Sequence, residues 1–441
     1  MLRRYVPLLA LTLTIATSAV GCLIDRSPLV PGDAGDLVPD AFVDEPDAPT
    51  DDAFGLDAFV AEADAFVEPD AFALPPDAAL DAPTCTPRCM GAVLIECAGG
   101  VEMPRTCDLG CNEAATRCLR VDPSNVATSI FDLATSDLDV STDRTIDTDR
   151  EGLVRTQRDG TEVAVLVHGS VTVSATLRAV GSRPLVIIAR DGVDVSGTID
   201  VSAVGNTPGP RGRPGATSAG GDASGLGAGR GGTHDGDYRD GGGGGGGLCG
   251  RGGTGGSGGA SSLGGVGGGP HDLGTDAETL RGGGGGGAGN GASGRFGAGG
   301  AGGGALQISS RGTITVRGRI LARGSAGANG LGGSGNDGAG GGGGAGGWIL
   351  LEAPDLELSG TLDASGGPGG DGEGGISGGR AGGGSDSNGG NGATHDSYFG
   401  DGGGGGGGAG CIVLRSHRPP MLATTSPRDA IGLHLLPLSL D

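Results

Sequence analysis

The sequence contains no lysine: all 29 of its basic residues are arginine. That absence excludes a P-loop lysine, a Schiff-base lysine for pyridoxal phosphate and a Ser-x-x-Lys acylase. Aromatic residues make up 3% of the 441 positions, with a single Trp, so any core must be aliphatic. Basic charge is outnumbered by 52 Asp and Glu, and the net charge of −23 argues against nucleic acid as a partner, which needs a clustered basic face. What the chain has in excess is glycine, 103 residues, against a usual share of ~7%. An ordinary globular enzyme is not the expectation.

Two arginines stand within Met1–Arg4, and residues 6–19 form a short apolar run with small residues towards its end. This is the layout of a secretory signal peptide over residues 1–21, and the run is short for a membrane span. Ser18-Ala19-Val20-Gly21-Cys22 resembles the lipobox of bacterial lipoproteins, although Ala19 stands where Leu is commoner. The resemblance implies that Cys22 is acylated and anchors the mature chain to a lipid membrane; the alternative is plain secretion. Each buried CH₂ of an acyl chain contributes roughly 0.8 kcal/mol. Leu23 follows the cysteine, with no Asp to suggest inner-membrane retention, so the expected address is the outer membrane or cell surface.

Residues 22–84 then read as a stalk. From Ser27 to Thr84 there are 15 acidic residues and no basic one, and Asp-Ala-Phe recurs at Asp40, Asp52, Asp57, Asp64 and Asp70. The irregular spacing fits neither a heptad nor a strand, so a disordered tether is expected, with a reach on the order of 40 Å. The five Phe are alternatively docking points for a partner.

Cys85, Cys89, Cys97, Cys107, Cys111 and Cys118 fall within 34 residues. In an exported chain they predict three disulfides in a module over 85–118, with all fifteen connectivities open; zinc held by four thiolates is the alternative. So small a segment depends on its bridges for stability. It resembles the short Cys-rich modules between stalk and body in surface lipoproteins of social deltaproteobacteria.

The body, 119–416, is organised by repetition. Val171-Thr-Val173-Ser-Ala175-Thr-Leu177-Arg-Ala179 returns 22 residues later from Val193 to Val201, and again from Ile314 to Ala322 and from Leu356 to Ala364. Two apolar residues, a Gly or Ala corner and two more apolar residues make period-2 alternation broken by a tight bend. Each copy follows another alternating strand, with inward residues assigned to Val165 and Val167, Val186 and Ile188, Leu306 and Ile308, and Ile349 and Leu351; Ile412 and Leu414 mark a last, unpaired one. The fold class that follows is all-β: a parallel, right-handed β-solenoid of about five short coils. Antiparallel hairpins are the alternative. Residues 417–441 would be a tail or cap.

Three Gly-rich stretches, roughly 205–305, 324–347 and 366–410, enter at one phase of this repeat, so all should emerge from one edge. Between Val201 and Gly410 lie 88 of the 103 Gly, with runs at Gly241–Gly247, Gly282–Gly287 and Gly402–Gly408. Ordering so many Gly costs the most backbone entropy of any residue. Polyglycine-II-type helices, whose N–H and C=O groups point sideways to neighbouring helices, could offset that cost; flexible loops are the alternative. The threefold period of Gly252-Gly-Thr-Gly-Gly-Ser-Gly-Gly-Ala260 suits such helices.

Strand motifs such as Leu185-Val-Ile-Ile-Ala189 and Trp348-Ile-Leu-Leu-Glu-Ala353 bracketing Gly runs resemble the Gly-rich, PGRS-like lipoproteins of myxobacteria over about Asp139 to Arg418. The Gly-rich part is also similar in style to mycobacterial PE-PGRS regions, without a PE segment. The resemblance implies a surface or matrix protein and secures no activity.

Chemistry is sparse. The many G-x-G-x-x-G matches arise from composition and open no helix after a strand. Gly209-Pro-Arg-Gly-Arg-Pro-Gly215 is collagen-like for only two triplets. Thr233-His234-Asp235 and Thr394-His395-Asp396 each stand a few residues before a seven-Gly run, with His271-Asp272 as a looser copy. They are weak metal-ligand candidates, or caps for free backbone groups. Asp147, Asp149 and Glu151 resemble the start of a calcium loop, but Arg158 stands where a Glu is needed. Gly332 to Ala339 is a lone near-match to a calcium nonapeptide. Asp194, Asp200 and Arg319 are scattered candidates for a lyase, and Cys249 with Cys411 is a candidate disulfide.

The reading is a non-enzymatic, membrane-anchored surface lipoprotein without a cofactor. Its expected role is structural or adhesive, towards extracellular polysaccharide, matrix protein or neighbouring cells. The alternatives are a polysaccharide-active β-helix enzyme and a calcium-dependent binder.

Overall fold

The computed structural model describes residues 85–438 apart from 113, 115, 235–238, 260, 272–278, 333–337, 384, 396–399 and 430–431. All belong to the second of the chain's two units, Pro76–Asp441. The signal peptide, Cys22 and the stalk lie outside the described residues.

The Cys-rich module is an antiparallel sheet of Arg88–Met90, Val93–Ala98 and Val101–Thr106. Three disulfides staple it: Cys85–Cys97, Cys89–Cys111 and Cys107–Cys118. With all six sulfurs bridged, no thiolate is left for zinc. Its own core is little more than Leu94, Cys107 and Cys118.

The body is nearly all β, dominated by one large sheet of 15 mostly parallel strands. Copies of the repeated frame pair in parallel at the register their offset predicts: Val171 with Val193, Ile314 and Leu356, then Leu177 with Ile199, Ile320 and Leu362. A preceding copy, Leu138–Val140 with Arg144–Asp147, pairs on the first of them. The corner residue is small for a packing reason, since a Cβ on Gly318 would collide with the Gly197 carbonyl of the adjacent strand. One antiparallel pair, Leu153–Thr156 on Glu162–Val165, interrupts the scheme. The strand path runs from Leu433–Pro437 to Arg144–Asp147 and does not close.

Two sequence expectations need correction. Ile412 and Leu414 are not in an unpaired strand: Cys411–Ser416 pairs with Leu433–Pro437, and Met421–Ser426 pairs with Leu356–Asp363, so the sheet continues past residue 416. The inward phase of the early strands also differs. Leu185 and Ile187, rather than Val186 and Ile188, share the main core with Leu306, Ile308, Ile349 and Leu351. Val165, Val186 and Ile188 face a second core, with Val121, Ile130, Phe131, Leu248 and Leu280. A strand buried on both faces is apolar throughout, and alternation then cannot set its phase.

That second face carries a buried polar network. Glu352 is fully buried and stands in register between Ser309 and Arg415. Its carboxylate accepts hydrogen bonds from Ser309 Oγ (2.7 Å), Gln307 Nε2 (2.9 Å) and the Ser124 N–H (3.1 Å), and pairs with Arg415 Nη1 at 2.9 Å. Asn125 Nδ2 donates to Gln307 Oε1 at 2.9 Å. These bonds fix the segment that follows the Cys-rich module onto the sheet. Phe131 of the same segment is fully buried, under the Arg311 guanidinium 4.6 Å from its ring centre.

The Gly-rich stretches are ordered by backbone hydrogen bonds with a period of three. In Gly402–Gly408, residues 402, 405 and 408 donate to the carbonyls of Asp240, Gly243 and Gly246. Residues 403 and 406 donate to Ala393 and Gly390, and residues 404 and 407 to Gly370 and Gly367, all at 2.8–3.0 Å. The carbonyls of the same run accept from three further segments: Gly340, Gly343 and Gly346; Gly256 and Gly253; Gly379 and Gly382. The run therefore has six neighbours, and all seven of its N–H and C=O groups are paired. Gly241–Gly247 is likewise ringed by six segments, around residues 227–233, 251–257, 263–269, 284–287, 340–343 and 405–408. The Cys249–Cys411 disulfide ties the first stretch to the strand after the last.

Candidate functional site

Where the outer segments of this Gly-rich slab face solvent, side chains return at every third position. Arg251, Thr254 and Ser257 lie along one segment and Asn388, Asn391 and Thr394 along its neighbour. The three N–H groups of the first donate to Asn388 Oδ1 (3.0 Å), Asn391 Oδ1 (2.9 Å) and Thr394 Oγ1 (3.3 Å). The backbone of the second donates back, Gly389 to Arg251 O and Gly392 to Thr254 O. In a threefold extended chain this spacing is about 9 Å. Leu263 and Val266, 61% and 64% exposed, stand on the next segment. The face is thus periodic, short in side-chain length and rich in hydrogen-bonding groups held in place by the backbone beneath.

The segments that carry the two Thr-His repeats are joined at the ends of the central Gly runs through Asp240 and Asp401. His234 Nδ1 lies 2.8 Å from Asp240 Oδ1, and the Asp240 N–H donates to Asp401 Oδ1 at 2.9 Å. Asp240 and Asp401 are both buried. The residues joined are therefore the Asp just before each run, while Asp235, Asp272 and Asp396 lie outside the described residues. Among the described residues, no group of three or more His, Cys, Asp or Glu is placed to hold a metal ion.

The calcium-like turn is committed to other partners. Glu151 takes the Asp147 N–H (3.2 Å) and Arg144 Nη2 (2.9 Å), Asp147 takes the Asp149 N–H (3.0 Å), and Asp149 takes Ser182 N–H and Oγ. These carboxylates cap backbone and pair with arginine instead of converging. Most of the near-match from Gly332 to Ala339 lies outside the described residues.

On the sheet's outward face, Asp139, Thr172, Asp194, Thr315 and Glu357 stand in register on successive strands, about 4.8 Å apart. The last two border an open groove of about 720 Å³ that also takes in Thr313, Arg317, Asp355 and Arg418. Arg317 pairs with Asp194 at 2.5 Å, Arg418 with Asp355 at 3.3 Å, and Thr315 Oγ1 donates to Glu357 at 3.1 Å. Asp200 instead pairs with Arg178 at 2.6 Å, and Arg319 is exposed two strand positions past the Arg317 corner. The three scattered lyase candidates thus fall at different places, and only Asp194 reaches the groove's charges.

Sequence reasoning missed the Glu352 network, because one Glu and one Arg 63 residues apart carry no motif. It also passed over Arg211 and Arg213, since the Pro-Arg-Gly-Arg-Pro stretch reads as a collagen fragment.

Fold and site together define a nearly all-β protein in which a large, mostly parallel sheet adjoins Gly-rich segments ordered by backbone hydrogen bonds. No family model, curated protein or solved structure matches the chain. Among the described residues, no helix is long and apolar enough to cross a membrane.

Proposed function

We propose that this chain is a membrane-anchored cell-surface lipoprotein with a structural or adhesive role, held by acylated Cys22 and raised on its acidic stalk. In this reading the parallel sheet winds as a short β-solenoid, and the Gly-rich stretches are polyglycine-II-type helices packed into a slab at one edge. The slab presents its periodic face to neutral polysaccharide or matrix. The observation that carries the reading is the six-neighbour enclosure of Gly402–Gly408, with side chains such as Thr254 and Asn391 returning only at the rim. Dense backbone bonding of this kind supports a rigid surface, and a rigid surface binds at a low entropic cost.

The test is adsorption of the purified full chain to insoluble neutral glucan, comparing the parent with Thr254→Glu/Asn391→Glu. The expected result is adsorption by the parent and at least a tenfold loss in the variant. Equal adsorption by both would remove the slab face as the adhesive surface. The groove beside Asp194, Asp355 and Glu357 favours a second reading, a polysaccharide-active enzyme. Turnover of a uronic-acid polymer by the parent, abolished by Glu357→Gln, would establish it in place of the first.

A further inference from the structure

Among the described residues, Arg211 is the one non-glycine residue with a left-handed backbone, at φ 70°; the other positive φ angles belong to Gly. That conformation crowds a Cβ against the following carbonyl, and Gly adopts it freely. The backbone is clamped there: the Gly212 N–H donates to Gly209 O at 2.8 Å, the Arg213 N–H to Gly283 O at 3.1 Å, and Arg213 O accepts from Gly302 at 2.8 Å. A chain with 103 Gly keeps an arginine where glycine would fit without strain. Such strain persists where the side chain has a task.

Arg211 and Arg213 line one cavity of about 630 Å³, together with Arg183, Asp149, Glu162 and Thr161. Arg183 is engaged, with Nε 2.8 Å from Glu162 and Nη1 3.4 Å from Asp149. Burial disfavours the charged form of Arg211, and the nearby charges of Arg213 and Arg281 add to that; Asp159 alone opposes them. The Asp159 carboxylate already accepts the Thr161 N–H (2.9 Å) and Oγ (2.6 Å). The two carboxylates of the lining, Asp149 and Glu162, are taken by Arg183, so the cationic excess lies at Arg211 and Arg213, and two half-buried like charges side by side are unfavourable until an anion joins them. Guanidinium forks match carboxylate geometry in two parallel hydrogen bonds, and the volume suits a small-molecule site.

We propose that this cavity is an anion site, with Arg211 and Arg213 as its binding residues, and that it takes the carboxylates of an acidic extracellular polysaccharide. The choice of a polysaccharide rests on the surface role proposed above; the anion site rests on the cavity and the strained arginine. It lies apart from the slab face, so the two tests use different variants and different ligands.

The test is calorimetric titration of the purified full chain with trigalacturonate, with maltotriose and inorganic sulfate as separate arms. The expected result is binding of trigalacturonate that weakens with salt, and no binding of maltotriose. Arg211→Gly should raise Kd at least tenfold while leaving Tm unchanged or higher, because it relieves the backbone. Arg213→Gln should raise Kd comparably. Absence of trigalacturonate binding, binding of sulfate alone, or undiminished binding by Arg211→Gly would overturn the proposal. A lowered Tm in Arg211→Gly would assign Arg211 to structure and overturn it as well. If the parent fails to bind but a chain with its stalk Asp replaced by Asn succeeds, the occupant is the stalk, and the polysaccharide is overturned.

Discussion

The backbone N–H of Asp240 donates to the carboxylate of Asp401 at 2.9 Å, joining residues 161 positions apart at the head of two seven-Gly runs. Asp401 is fully buried, so its carboxylate serves as a cap at the head of the two runs. Asp401→Ala leaves a buried N–H without that acceptor, and a loss of about 1–3 kcal/mol is expected. Chemical denaturation of the full chain measures it, and an unchanged midpoint would show that the cap is dispensable.

Enclosure of the central runs can be tested by adding one methyl group. A Cβ on Gly404 would collide with the carbonyl of Gly341, whereas one on exposed Gly269 meets nothing within 4 Å. Gly404→Ala is expected to destabilise by about 3 kcal/mol or more, and Gly269→Ala to stay within about 0.5 kcal/mol. Equal effects at both sites would contradict the six-neighbour arrangement.

The Cys249–Cys411 bridge closes a sequence separation of 162 residues, with the two Cα atoms 5.5 Å apart. Chain-entropy arguments put its stabilisation at up to about 5 kcal/mol, the upper end of the usual range. Cys249→Ala/Cys411→Ala should lower the midpoint accordingly and speed hydrogen exchange in Gly241–Gly247 and Gly402–Gly408. Unaltered exchange there would mean the backbone bonds alone hold the slab.

Burial depresses the imidazoles of His168 and His417 below the ordinary His value. Below the unfolded pKa of about 6.5, the unfolded chain then binds more protons than the folded one, so stability falls as pH falls towards the depressed values. Tm should therefore drop between pH 7.5 and 5.5. The drop should shrink in His168→Gln/His417→Gln; a slope identical to the parent's would exclude both residues.

Glu352 and Arg415 form a buried ion pair at 2.9 Å beneath Ser124. Glu352→Ala removes the buried counter-ion of the Arg415 guanidinium, and a loss of about 3–5 kcal/mol is expected. Limited proteolysis between the Cys-rich module and Leu138 should accelerate in that variant, because the Ser124 N–H and hydroxyl lose their carboxylate acceptor and keep only the Arg415 contact. Unchanged cleavage would show that apolar contacts such as Phe131 suffice.

The repeated frame from Val171, Val193, Ile314 and Leu356 determined by itself that parallel strands pair at that register, since apolar alternation and a Gly or Ala corner repeat in phase. The positions of the Gly-rich stretches within that frame were legible for the same reason. The inward phase of Val186 was not, because a strand buried on both faces carries no alternation to read. Nor were the neighbours of Gly402–Gly408: a run without side chains holds no information about which segment it will meet, and only close packing of backbone on backbone selects the six. Arg211 was hidden likewise, since a left-handed arginine looks ordinary in sequence and acquires its meaning from the clamp and the cavity that the tertiary structure builds around it.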